Sequence, residues 1–152
     1  MRSLGNGARH AVEARDHAAP EQPFPRYRRA GPLVFVSSAG IEAGAARQWS
    51  DGPPGIREQT ATCIERMRRI LEDAGGGLEN LVDVTSYLVS MTDFGGYNDI
   101  YSNFFSPDGP ARTTVAVQQL SHPDSLIEIR GTAYIIESVG TPAKTTTEDY
   151  QR

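Results

Sequence analysis

Near the C-terminal end of this 152-residue chain stand two β-prone runs, PARTTVAV (Pro110–Val117) and LIEIRGTAY (Leu126–Tyr134). Each puts a charged residue, Arg112 or Glu128, into a stretch that a sheet would bury. A charge withdrawn from water is costly unless it is paired or bound. A fold containing both runs must therefore join the two groups as a structural ion pair or present them to a small anionic substrate.

The rest of the chain supplies the frame for those strands. Leu33–Ser38 (LVFVSS) is a short β-prone run introduced by the turn-like Ala30-Gly31-Pro32. Ala39–Gly55, rich in glycine and proline, reads as a long loop. From Ile56 to Ala74 the period changes. Apolar or small residues recur at Thr60, Cys63, Ile64, Met67, Ile70, Leu71 and Ala74, one face of an amphipathic helix, and Gly75-Gly76-Gly77 stops it. Arg66, Arg68 and Arg69 read as its solvated face, and Cys63 as a buried structural thiol. Leu81–Met91 is again β-rich, Thr92 is the expected N-cap, and a second helix is predicted from about Asp93 to Phe105 with an aromatic inner stripe.

The order β, α, β, α, β, β, with an extra strand around Arg26–Arg29, predicts an α+β domain: one sheet with two helices on one face. Residues 1–22 read as a flexible arm, 23–137 as the domain and 138–152 as a flexible tail.

Composition excludes several classes of function. The net charge of −4 exerts no general attraction on nucleic acid or anionic membranes. One cysteine cannot make an internal disulfide and fits a reducing compartment. The N-terminal stretch lacks an apolar core and contains Glu13, Asp16 and Glu21, unlike a signal or transit peptide, so the cytoplasm is the expected location. There is no phosphate-binding glycine loop, HExxH, paired CxxC or GxSxG. His10, His17 and His122 are scattered and read as solvated polar residues.

Between about Phe24 and Ile135 the sequence resembles the RidA/YjgF family of imine and enamine deaminases. The resemblance runs through Val36-Ser37, IREQTATCIERMRRIL, DFGGYNDIYSNFF, GPARTTVAV and LIEIRGTAY. Within the family it is most similar to the 2-aminomuconate deaminases, through IREQT, MTDFGGYNDIY and ARTTVAVQQLSHPDSLIEI. The resemblance implies a chorismate-mutase-like homotrimer with a central barrel, helices outside and active clefts between subunits. It implies that Arg112 binds the substrate carboxylate and that Glu128 acts through a water. It places Ser37, Asn98, Phe24 and the backbone near Thr114 in the pocket, with no cofactor or metal. Three departures stand out. Phe24 replaces a frequent tyrosine, Ser38 replaces the glycine that usually follows the serine, and the Trp49-bearing loop does not follow the aminomuconate-deaminase pattern.

The residue chemistry points the same way. A guanidinium stays charged and grips a carboxylate with its planar fork. Deaminating an enamine requires protonation at carbon, addition of water at C=N and protonation of the leaving nitrogen, which one carboxyl group can serve. A hairpin closed by Leu120–Ser125 is predicted for the last two strands. It sets Glu128 opposite about Val117 and Arg112 opposite about Ala133, about 16 Å apart along the ribbon. Arg112 of one subunit is then expected to meet Glu128 of its neighbour. Competing readings are a non-catalytic metabolite-binding or chaperone-like module, a divergent member in a specialised biosynthetic pathway, and an endoribonuclease.

Overall fold

The computed structural model describes residues 23–41 and 52–136. The N-terminal arm, Trp49, His10, His17 and the C-terminal tail lie outside the described residues. The elements are β1 (Tyr27–Ala30), β2 (Leu33–Ala39), α1 (Ile56–Asp73), β3 (Leu81–Leu88), α2 (Phe94–Phe104), β4 (Ala111–Ala116) and β5 (Ile127–Tyr134). They form a five-stranded sheet in the order β1-β2-β5-β3-β4, with α1 and α2 packed on one face. This is the expected α+β architecture. Among the described residues no helix is long and apolar enough to cross a membrane.

Local chemistry sets the boundaries. Gly31, with φ of 58°, and Pro32 turn β1 into β2, the residue types that a II′ hairpin asks for. The triple glycine ends α1 as expected. Gly75 takes φ of 87°, its N–H reaches Glu72 O, and the Gly76 N–H reaches Leu71 O, closing a Schellman motif. Arg29 from β1 donates to Ala74 O and Ile135 O, placing a cation on the carbonyl end of α1. At α2 the cap differs from expectation. Ser90 Oγ accepts the Thr92 N–H at 3.2 Å and bonds the Thr92 hydroxyl at 2.7 Å, so a 3₁₀ turn, Met91–Asp93, precedes the helix.

The core lies between the sheet and α1. Cys63, Ile64, Met67, Ile70 and Leu71 pack on Val34, Val36, Val84, Ile127 and Ile129. Met67 comes close because Gly131 has no side chain; a Cβ there would stand 2.6 Å from Leu81 Cδ2 and 3.2 Å from Met67 Sδ. Two of the three helix arginines are less solvated than expected, since Arg66 donates to Gly40 O at 3.0 Å and Arg68 stacks over the Phe104 ring, while Arg69 is exposed as expected.

The predicted β4–β5 hairpin does not form. β4 pairs with β3 in parallel, and β3 lies between β4 and β5. The directions of the last two strands are those of a hairpin, which is why the sequence pattern could not separate the two arrangements. The connection from Val117 to Leu126 is long for a hairpin loop and instead crosses the end of β3, through Val117 N–H to Leu88 O and Val89 N–H to Leu126 O.

One buried side chain ties that connection down. Gln59, 1% exposed on α1, donates to Pro54 O at 2.8 Å and Asp124 O at 2.9 Å and accepts the Leu126 N–H at 2.8 Å. Gln59→Met keeps the volume and strands all three backbone groups. The expected loss of stability is about 2–4 kcal/mol, from buried polar groups left without partners. Urea denaturation measures it, and a loss below ~0.5 kcal/mol, the scatter of ordinary surface changes, would contradict this account.

Candidate functional site

Strand alternation decides where each predicted site residue points. On β5, Ile127, Ile129, Gly131 and Ala133 face the helices, so Glu128, Arg130, Thr132 and Tyr134 face the other way. Glu128 is level with Tyr87 on β3, and Tyr87 with Val115 on β4. Arg112 lies three residues before Val115 and beside Val84, a core residue. An odd offset reverses the face, so Arg112 and Glu128 project from opposite sides of one sheet. They are separated by about 10 Å along the strands and about 10 Å across them. The two residues form no ion pair within the chain, as expected, although the cause is opposite faces rather than an offset in a hairpin.

Arg112 is held by α2. Its guanidinium lies 4.6 Å from the ring centre of Tyr101, 5.5 Å from Tyr97 and 5.9 Å from Phe94, and Nη1 donates to Asn98 Oδ1 at 3.0 Å. The aromatic stripe is both core and platform: Tyr97 is fully buried, and its hydroxyl bonds Ser86 at 2.9 Å. Each exposed cation–π contact is worth about 0.5–1 kcal/mol, enough to orient the fork. No carboxylate pairs with Arg112 among the described residues, and Asn98 is its one hydrogen-bond partner there, so N–H donors remain for an anion. Thr114 joins this side, 3.4 Å from Tyr97 Oη, on a strand at the sheet edge.

Glu128 belongs to a second cluster. Its Oε1 accepts from Ser121 Oγ at 3.0 Å, and it lines an open cleft of about 660 Å³ with Phe24, Ser37, Ser38 and Tyr87. Ser37 Oγ donates to Pro25 O at 2.7 Å, bracing the segment that carries Phe24. Gly40 lets the carboxylate stem in, since a Cβ there would stand 2.8 Å from Glu128 Cγ. A larger cleft, about 830 Å³, opens between the C-terminal end of α1 and the α2–β4 connection and contains none of the predicted site residues.

The predicted residues thus fall into two groups: Arg112, Asn98 and Thr114 on the helix side, and Phe24, Ser37 and Glu128 on the bare side. Sequence reasoning missed Ser121, Tyr87 and the cation platform of α2. A hydroxyl in a polar loop and a tyrosine in a β run carry no periodic signal. The platform was legible as an aromatic stripe and was read only as core. Among the described residues no group of three or more His, Cys, Asp or Glu side chains is placed to hold a metal ion.

Known proteins place the chain. Residues 15–135 match the family model described as Endoribonuclease L-PSP. A RutC family protein of Pyrococcus horikoshii is 42% identical over 76% of this chain and 89% of its own length. A RutC family protein of Pyrococcus abyssi is 44% identical over 52% of this chain, a match spanning 61% of that relative. The crystal structure of a candidate endoribonuclease from Thermotoga maritima superposes with a TM-score of 0.66 at 31% identity, covering 81% of this chain and 94% of that one.

The lone described cysteine belongs to neither cluster. Burial pushes the Cys63 thiol from 9.0 up to about 12, only partly offset by Arg66. The folded state therefore holds the thiol proton more tightly than the unfolded one. The stabilisation is complete below about pH 9 and is lost as pH rises toward 12. At pH 8 a disulfide reagent such as DTNB is expected to leave Cys63 untouched in the native protein and to react fully in guanidinium. Equal rates in the two states would show the thiol to be accessible.

Proposed function

Because the chain belongs to the Endoribonuclease L-PSP family, which takes in RutC and RidA/YjgF proteins, we propose that it hydrolyses the enamine or imine of a small unsaturated 2-amino acid. The products are ammonia and a 2-oxo acid. The observation that carries this reading is Arg112: a guanidinium laid on three aromatic rings, without a carboxylate partner among the described residues, its remaining donors open to an anion. Such a fork suits a substrate carboxylate held bidentately.

The opposite-face geometry supports a site completed by a second subunit. In the proposed homotrimer, Arg112 of one subunit anchors the carboxylate over the Glu128 cleft of its neighbour. The exposed apolar residues of the bare face, Leu33, Val115 and Tyr134, support such burial against copies of the chain. Glu128 then moves protons. It protonates the enamine β-carbon to give the iminium, takes a proton from the water adding at C2, returns one to nitrogen as the C–N bond breaks, and recovers the hydroxyl proton as the carbonyl forms. Ser121 and the gap at Gly40 fix where its carboxylate stands.

The leading substrate is 2-aminomuconate, supported by the sequence similarity of IREQT and MTDFGGYNDIY. The description of the matched family favours one second reading, RNA cleavage. The net charge of −4 weighs against it.

Freshly generated 2-aminoacrylate and 2-aminomuconate, assayed for ammonia release, test the proposal. Arg112→Ala is expected to lower kcat/KM at least about 100-fold with an unchanged circular dichroism spectrum, and Arg112→Lys to recover only part, because an ammonium lacks the fork. Gly40→Ala, which pushes on Glu128, is expected to lower kcat about tenfold or more while leaving carboxylate binding near wild type. Full activity in Arg112→Ala would refute the assignment. RNA cleavage that co-purifies with the protein and is lost in the same variant would favour the second reading.

A further inference from the structure

The Glu128 cleft also holds two cations. Arg130 follows Glu128 by two residues on the same face of β5, and Arg28 on β1 is level with Phe35 and, through it, with Thr132. Both arginines are exposed, and neither has a hydrogen-bond or ion-pair partner among the described residues. Two strand residues on one face are separated by about 7 Å, so Arg130 and Glu128 are neighbours on one wall of the cleft. Phe24 and Phe35 give the same cleft apolar walls. The lining therefore combines a proton-transfer group, apolar surface and two guanidinium groups.

We infer that Arg130, assisted by Arg28, forms a second anion subsite beside Glu128, and that the cleft selects substrates with a second carboxylate remote from the reacting carbon. The inference rests on the deaminase reading for the identity of the reacting group. It adds a determinant of specificity separate from Arg112. Arg112 would take the carboxylate next to C2, and Arg130 the distal one. Two cations in one cleft, unpaired among the described residues, repel each other, and an anion relieves that repulsion while gaining charge-assisted hydrogen bonds. A substrate with an apolar terminus would leave both cations unmatched, and the cleft discriminates against it for that reason.

A matched pair of product-like acids separates this subsite from the chemistry. 2-Oxoadipate and 2-oxohexanoate differ in whether the far end is a carboxylate or a methyl group. Calorimetric titration of the full-length protein at physiological salt is expected to show 2-oxoadipate binding about tenfold or more tightly, in line with one charge-assisted contact. Arg130→Met is expected to abolish that preference while leaving 2-oxohexanoate affinity unchanged. Arg130→Lys, which keeps the charge, is expected to retain part of it, and Arg28→Met to weaken it less. Equal affinities in the wild type, or a preference that survives in the Arg28→Met/Arg130→Met double variant, would overturn the inference. A protein that keeps the preference yet releases no ammonia from any enamine would refute the deaminase reading and leave the subsite standing.

Discussion

β5 is the element on which the other parts depend. It pairs with β2 on one side and β3 on the other, and α1 covers one of its faces. Fully paired and half covered, it has no freedom of register, because a slip of one residue would send Ile127 and Ile129 to the bare face and bring Glu128 and Arg130 into the core. Burial of the apolar set therefore fixes the position of the charged set. The carboxylate and its neighbouring guanidinium occupy one face because the hydrophobic effect has claimed the other.

Arg112 is placed by a different constraint. β3, α2 and β4 form a parallel crossover, which brings α2 over the sheet and its aromatic residues over the edge strand. The buried Ser86–Tyr97 hydrogen bond anchors the helix on β3, and Arg112, beside Val84, lies under the rings that follow. The guanidinium thus belongs to the helix layer and the carboxylate to the exposed sheet. A fold that separates the two groups so cleanly does not spend either charge on internal pairing, and each remains available to something outside the chain.

Much of this was legible in the sequence, for reasons that can be named. The helix pattern of α1 and its triple-glycine stop, the β-prone runs and the single charges within them all come from periodicity, which one element's own burial imposes. The order of strands does not. The choice between a β4–β5 hairpin and a crossing over β3 depends on contacts between distant parts of the chain, above all on Gln59, a polar side chain on the apolar face of α1 that holds Asp124 and Leu126. A polar residue among core positions was the available signal for that clamp, and the helical stripe masked it. Ser121 was harder to read, since a loop hydroxyl gains meaning only from the carboxylate it meets. Thr92 was misplaced because Ser90, two residues earlier, competes for the same cap.

Two of the three departures from the family pattern gather in one place. Phe24 and Ser38 both line the Glu128 cleft, as do the guanidinium groups of Arg28 and Arg130. None belongs to the core packed between α1 and the sheet. Changes there alter what the cleft can hold without disturbing the register of β5 or the platform under Arg112. Phe24 gives the cleft an apolar wall, and Ser38 adds a side chain to the same lining. Apolar walls recover free energy only from a ligand that covers them, which is why the proposed substrate is an extended chain. In the proposed reading Arg112 and Glu128 carry the chemistry, and the residues that line the Glu128 cleft set the length and the far end of the molecule it accepts.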